Sequence, residues 1–364
     1  MRAVRALRAV RTGAFLVPLA VAALLAPAQA ANAWGGGGDK APSKPPEGPS
    51  GGASGDMLTA EAGTSRIKVT QKTGPSSGRA AQGLAPVDPQ WKPPACWYEP
   101  VATPEQLKAG VDKLKQGGDL VRVTPSLSWG EELMVEHYEK GGQRSGGEAG
   151  YENFNLGEDG HFWRGVINPA NRTDLDAYEC ERTLFWQAAG SVPDDAHAPT
   201  PDILAAYAYD KIKVPDTKVE LKPATRSTVN LPTWVWLDKG DFAEVQVRAE
   251  LPGTGLWAET TAKPVGLHLE PGTGDAETHP ASGECVISKD GSIGTPYAKG
   301  TSQTPPPCGI TYLRATSGTP YPLKAAVTWA ISWQGSGGTG GDLPDGTFET
   351  TQDITVQEIQ SINR

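Results

Sequence analysis

The sequence predicts a mostly β fold, with a smaller α+β domain followed by a C-terminal antiparallel β-sandwich. Two observations of composition and one of pattern carry the prediction. Gly 44 and Pro 32 in a chain of 364 residues supply turns, and 11 Trp against 3 Met favour sheet cores over helical bundles. From Lys222 onward, short apolar runs separated by turn residues recur at roughly 8 to 15 residue intervals, the spacing of strands in an antiparallel sandwich.

Before the folded part, residues 1–30 read as an export signal. Arg2, Arg5, Arg8 and Arg11 form a basic start, Ala14 to Ala26 is an apolar run, and Ala28-Gln29-Ala30 is a small-x-small cleavage site. The run is short for a bilayer span, and no cysteine lies beside the cleavage site to accept a lipid. The expected product is secreted, extracellular or cell-wall associated, with no membrane insertion after cleavage. Without the signal's four arginines, 29 basic residues stand against 42 acidic ones, a net of -13. That balance disfavours nucleic acid and anionic lipid as partners. Cys96, Cys180, Cys285 and Cys308 remain, an even count that in an exported chain reads as two disulfides. Cys96 with Cys180 and Cys285 with Cys308 is the favoured pairing, because each bridge then stays inside one domain; each contributes roughly 3 to 5 kcal/mol in the chain-entropy model.

Residues 31–94 are Gly/Pro/Ser-rich and read as a disordered tether, because so few large apolar side chains cannot offset the entropy of ordering. Arg66 to Thr70 is weighed as a short strand and taken as an isolated apolar run. The α+β domain is placed at 95–215. Thr103-Pro104-Glu105-Gln106 starts a helix with Leu107, Val111 and Leu114 on one face, and a second helix is expected from Ser128 to Lys140 with Leu133, Val135 and Tyr138 inward. Leu120 to Val123, Phe162 to Ile167 and Ala177 to Trp186 read as strands, with Gly141 to Gly150 a Gly-rich loop. In the last of these strands Tyr178, Cys180, Leu184 and Trp186 share a face. Thr200-Pro201-Asp202 opens a third helix to about Lys211, with Ile203, Leu204, Tyr207 and Ala208 on its packing side, and a hinge falls at Pro215.

The sandwich is placed at 216–364. Its strands are expected at Thr228–Leu231, Thr233–Leu237, Phe242–Ala249, Leu256–Ala262, Gly266–Glu270, Gly283–Ser288, Cys308–Tyr312, Leu323–Trp333, Asp345–Thr350 and Asp353–Glu358. Gly335 to Gly341 follows a strand with no Lys or helix after it, so it is a hairpin loop and not a phosphate loop; nucleotide is excluded as a partner. The helix at Thr200 to Lys211, the Asn230-Leu231-Pro232-Thr233-Trp234-Val235-Trp236 strand, Pro271-Gly272-Thr273-Gly274, Gly294-Thr295-Pro296-Tyr297, Pro307-Cys308-Gly309 and Ala326 to Trp333 before a Gly-rich hairpin carry a resemblance. Over roughly Pro201 to Asn363 the chain resembles uncharacterised actinobacterial secreted proteins, whose C-terminal domain is similar to the polycystic-kidney-disease (PKD) type of immunoglobulin-like fold. The Trp-Asp-Phe-Gly-Asp-Gly motif usual in PKD modules has its nearest counterpart at Leu269 to Asp275, where the tryptophan and phenylalanine are missing. The resemblance implies an extracellular module without a known reaction.

No constellation commits the chain to a reaction, and neither a catalytic residue, a metal nor a cofactor is assigned. Tyr151 to Asn168 concentrates Glu158, Asp159, His161, Trp163 and Arg164, a mix able to line a polar cleft or to be no more than a charged turn before a strand. Trp234 and Trp329 lie on strands with Trp236 and Trp333, and indoles at that spacing either stack on sugar rings or fill a core; core is the stronger reading. Glu132 and Glu136 share a helix face with no HExxH pattern beside them, and Asp174 and Asp176 lie in a polar turn without the oxygen ligands of a calcium loop. The leading function is a secreted non-catalytic binding or structural module that recognises an extracellular polymer, such as cell-wall glycan, or a surface protein. The alternative is a secreted hydrolase acting on glycan or peptide through the 151–168 region, and a third reading is an envelope component that packs against its own copies.

Overall fold

The computed structural model describes residues 65–73, 81–116, 132–143, 149–171, 173–215, 219–224, 226–237, 243–289, 291–301 and 304–359. The stretches expected to be an export signal and most of a tether, the strand expected at Leu120 to Val123 and the start of the expected second helix lie outside them. Three long antiparallel neighbours, Leu256–Glu270, Tyr321–Gly335 and Gly340–Gln357, carry the larger sheet. Val245–Leu251 and then Lys68–Gln71 extend it on one side, and Ala85–Pro86 on the other. The fold is mostly β with a curled antiparallel sheet.

The expected pairs of short strands at 256–270 and at 345–358 are single strands, and the first shows why they read as two. Ala258, Thr260, Ala262 and Pro264 are buried, and then the parity flips to Leu267 and Leu269. The flip coincides with a bulge, since Pro264 faces Trp329 while Gly266 faces Thr328, leaving Val265 as the extra, exposed residue. A bulge inserts one residue and bends the strand, so a period-2 pattern appears to end and restart. A second register shift, where Trp329 faces Gly346 and Ile331 faces Leu343, places an extra residue in Gly340–Gln357.

A five-stranded sheet built on Pro232–Leu237 and Gly309–Tyr312 shares the main core with the larger one. Val235, Leu237, Ile310 and Tyr312 from the first meet Leu267, Val327 and Trp329 from the second in one buried cluster. Burial of that apolar surface is the main stabilising term. The helix Pro201–Lys211 belongs to the same cluster. Thr200 caps it by accepting from the Ile203 N–H at 3.4 Å, and the small Ala205, Ala206 and Ala208 let its backbone approach the sheet, where Thr260 Oγ1 donates to Ala205 O at 3.0 Å. The boundary expected at Pro215 assigns this helix to the first domain; it packs against Val245–Leu251 and Leu256–Glu270 of the second.

A three-stranded sheet, Cys96–Ala102, Gly160–Ile167 and Phe185–Ala188, packs beside the helix Pro104–Gln116 over a second cluster containing Leu107, Val111, Tyr138, Phe154 and Phe162. The first of these strands is not anticipated by the sequence pattern, because CWYEPVA holds a proline and a glutamate. It is an edge strand with a register shift at Pro100, where a missing N–H costs least.

Three further expectations are corrected. Ala177 to Trp186 is not one strand: Leu175–Tyr178 is a 3-10 turn, Tyr178 is exposed, and only Phe185–Ala188 pairs. A disulfide and a crowded strand fix that segment instead, since a Cβ on Gly165 would fall 2.3 Å from Cys180 O. The described part of the second helix continues as a π-helix at Val135–Glu139, with His137 buried beside Tyr138. Arg66 to Thr70 is not an isolated run, because Lys68–Gln71 pairs with Val245–Leu251 and Ile67 is buried. In the nominal tether, 65–73 and 81–94 are thus parts of the fold.

Candidate functional site

Both disulfides join the expected partners, Cys96 to Cys180 and Cys285 to Cys308. The first stands at the wall of an open cleft of about 420 Å³. One wall is Lys92 to Cys96. Asn168, fully buried, donates from Nδ2 to Pro94 O at 3.0 Å, and Asn171 donates from Nδ2 to Pro93 O at 2.7 Å, so the turn after Gly160–Ile167 clamps this extended Pro-Pro segment. The second wall is the turn carrying Asp174, Asp176 and Glu179, and the third brings His197 and, from the first turn of the helix Pro201–Lys211, Asp202. Pro93, Pro94 and Ile203 supply the apolar part of the lining.

The cleft is acidic, with four carboxylates against Lys92. Lys92 Nζ lies 2.8 Å from Asp174 Oδ2, and that hydrogen bond holds Asp174 below the usual carboxylate range and Lys92 above the usual ammonium range. His197 is fixed from several sides. Its backbone N–H donates to Asp195 Oδ1 at 2.9 Å, its carbonyl accepts from the Tyr98 N–H at 3.1 Å, and its ring nitrogens each face a carboxylate at 3.3 Å, Nδ1 towards Asp195 and Nε2 towards Glu179. Such an arrangement attracts cations and orients an imidazole.

The residues singled out in the sequence lie elsewhere. Glu158 and Asp159 are exposed at the turn before Gly160–Ile167, and His161 is half-buried beside Gly253. Trp163, Trp234 and Trp329 are buried at 2%, 6% and 0% exposure, so none offers an indole face to a ligand; they fill cores because strand alternation directs them inward. Arg164 is half-buried and stands opposite Glu99 in the strand register. Glu136 is exposed and pairs with Lys140 at 3.3 Å, the solvated helix face expected. Of the cleft's carboxylates, the sequence reading weighed only Asp174 and Asp176 as ligands and set them aside as a polar turn. The missed residues come from three separate segments, and the signal able to unite them was the Cys96 to Cys180 bridge.

A second polar constellation is buried. Glu99 is fully excluded from solvent and its carboxylate accepts from Ser65 Oγ at 2.5 Å, Arg66 N at 2.5 Å and Trp97 Nε1 at 2.6 Å. Burial pushes Glu99 above the usual carboxylate range, against the pull of these donors and of Arg164. Desolvation likewise lowers Arg66. This cluster ties the N-terminal strand to the three-stranded sheet.

Among the described residues no helix is long and apolar enough to cross a membrane, and the two disulfides fit an extracellular environment. No protein-family model matches the chain, and no curated protein or solved structure matches it.

Proposed function

We propose that the protein is an exported, non-catalytic recognition module, related in its C-terminal part to PKD-like immunoglobulin-type sandwiches, and that its cleft beside Cys96 holds a cationic group displayed by an extracellular polymer, such as cell-wall glycan, or by a surface protein. The observation that carries this reading is the set of four carboxylates, Asp174, Asp176, Glu179 and Asp202, facing a 420 Å³ opening whose single lysine is already paired. Opposite charges at a partly desolvated wall attract over a Debye length of about 10 Å at 0.1 M salt, so recognition by this route is salt-sensitive. A signal-like N-terminal sequence and the two bridges support a working place outside the cytoplasm.

The test is co-sedimentation of the protein with purified cell wall and insoluble polysaccharides at low and high salt, with the supernatant analysed for released sugars and peptides. Retention that weakens with salt, falls in Asp176→Asn/Asp202→Asn, and releases nothing supports the reading. Salt-independent retention unaffected by that variant removes the cleft from it, and release of soluble product replaces it with the hydrolase alternative.

A further inference from the structure

We propose that Cys96, Cys180 and His197 are the ligands of a thiol-gated site for a thiophilic divalent cation, zinc by its ligand preference, that comes into being when the Cys96–Cys180 bridge is reduced. One ligand atom from each of the three residues lies within 4.8 Å of the other two, and this is the one such group of three among the described residues. The neighbouring groups complete the pattern. Asp195 Oδ1 stands 3.3 Å from His197 Nδ1, the carboxylate-histidine arrangement that fixes the tautomer of a metal-bound imidazole. Glu179 Oε2 stands 3.3 Å from Nε2 and belongs to the residue next to Cys180, in reach of a fourth position.

The cleft supplies the entry path, since Cys96 and His197 both line it and Cys180 and His197 are half-exposed. Cys285 and Cys308, by contrast, are both buried. A dithiol reductant attacks the accessible bridge; its two sulfurs become a disulfide, and two electrons and two protons pass to Cys96 and Cys180 as thiols. Zinc then displaces both thiol protons to solvent and is held by two thiolates and the neutral imidazole, with Glu179 or water fourth. On a tetrahedral zinc these donors stand about 3.3 to 3.8 Å apart, so the two sulfurs separate once their bond is reduced while the imidazole closes on them from within 4.8 Å.

The experiment uses the full chain, reduced by a dithiol, freed of it without air, and titrated with zinc and with cobalt(II); peptide mapping identifies which bridge has opened. The expected results are one zinc per reduced chain, a thiolate-to-cobalt charge-transfer absorption, and at least about a 10-fold weaker zinc affinity in His197→Ala, whose oxidised form serves as the folding control. Cys180→Ser abolishes the absorption. Equal uptake by the oxidised chain, no uptake after reduction, or uptake that His197→Ala leaves unchanged overturns the proposal. So does a reduced chain that unfolds and that zinc does not restore, because a ligand bound only by the folded state must stabilise it.

Discussion

Removing the Glu99 carboxylate tests whether the buried polar cluster holds the N-terminal segment in place. Glu99→Ala deletes the acceptor of three hydrogen bonds, from Ser65 Oγ, Arg66 N and Trp97 Nε1. Bonds to a charged acceptor contribute about 1.5 to 3 kcal/mol each, but Ser65 and Arg66 are part-buried and regain water, whereas the indole N–H is buried and does not. The expected loss is therefore about 1 to 3 kcal/mol, the cost of leaving one buried donor without its acceptor. Urea unfolding with intact disulfides reads it, and a loss below about 1 kcal/mol would refute the reasoning. The pH dependence separates burial from hydrogen bonding. Because the folded-state value of Glu99 is raised, the unfolded chain releases this proton first, and stability falls as pH rises from the unfolded value of about 4.3 towards the higher folded one. Glu99→Gln cannot titrate, so wild type loses stability relative to Glu99→Gln across that window. A difference between the two that is flat, or that grows in favour of wild type with rising pH, would show that the donors outweigh burial.

Trp329→Ala opens a cavity in the core shared by both C-terminal sheets and is expected to cost about 3 to 5 kcal/mol in the same unfolding experiment; a loss near 1 kcal/mol would mean that the sheets do not pack through it. Deleting Val265 removes the extra residue of the bulge and leaves Leu267 opposite Val327 in an unbroken alternation, so the variant should keep cooperative unfolding as followed by near-UV circular dichroism; lost cooperativity would show that the core requires the bend itself. Carboxyl NMR of Asp174 should give a midpoint below the ordinary aspartate value that moves upward in Lys92→Ala, and an unmoved midpoint would assign the shift to the turn's backbone N–H groups instead. Burial pushes Tyr209 up to about 12, so alkaline difference spectra should lose a late-titrating tyrosine in Tyr209→Phe.

What could be read in the sequence followed from local chemistry. The helix Pro201–Lys211 was legible because its Thr-Pro start is a cap and a first-turn proline, and the disulfide pairing because each bridge closes within a contiguous stretch. The Gly335 to Gly341 hairpin was legible as well, since glycines there follow a long alternating strand. What was missed depends on partners distant in sequence. Glu99 in CWYEPVA argues against a buried strand until Ser65, Arg66 and Trp97 are seen to donate to it, and Arg66 to Thr70 is too short to declare itself a strand without the edge of Val245–Leu251. Trp234 and Trp329 drew attention as potential sugar platforms, and Trp163 as part of a polar cleft, because residue type is visible in a sequence and burial is not. The cleft had no signature because no two of its walls are neighbours in the chain.

The strand Cys96–Ala102 connects these features. Cys96 lines the cleft and carries the bridge, Trp97 meets Tyr207 of the sheet-packed helix edge-on at 5.4 Å, Tyr98 packs with Trp163 and Phe185 and ties down the His197 carbonyl, and Glu99 anchors Ser65 and Arg66. Val101 then enters the second apolar cluster. Successive residues of a strand point to opposite faces, so one seven-residue segment serves both of its sides at once. Two walls of the cleft are therefore anchored in the fold: one is continuous with a fully buried strand, and another with the helix packed on the larger sheet. A ligand bound there gains from a pre-formed wall and orders little new chain, which is the condition under which a few charge contacts yield net affinity.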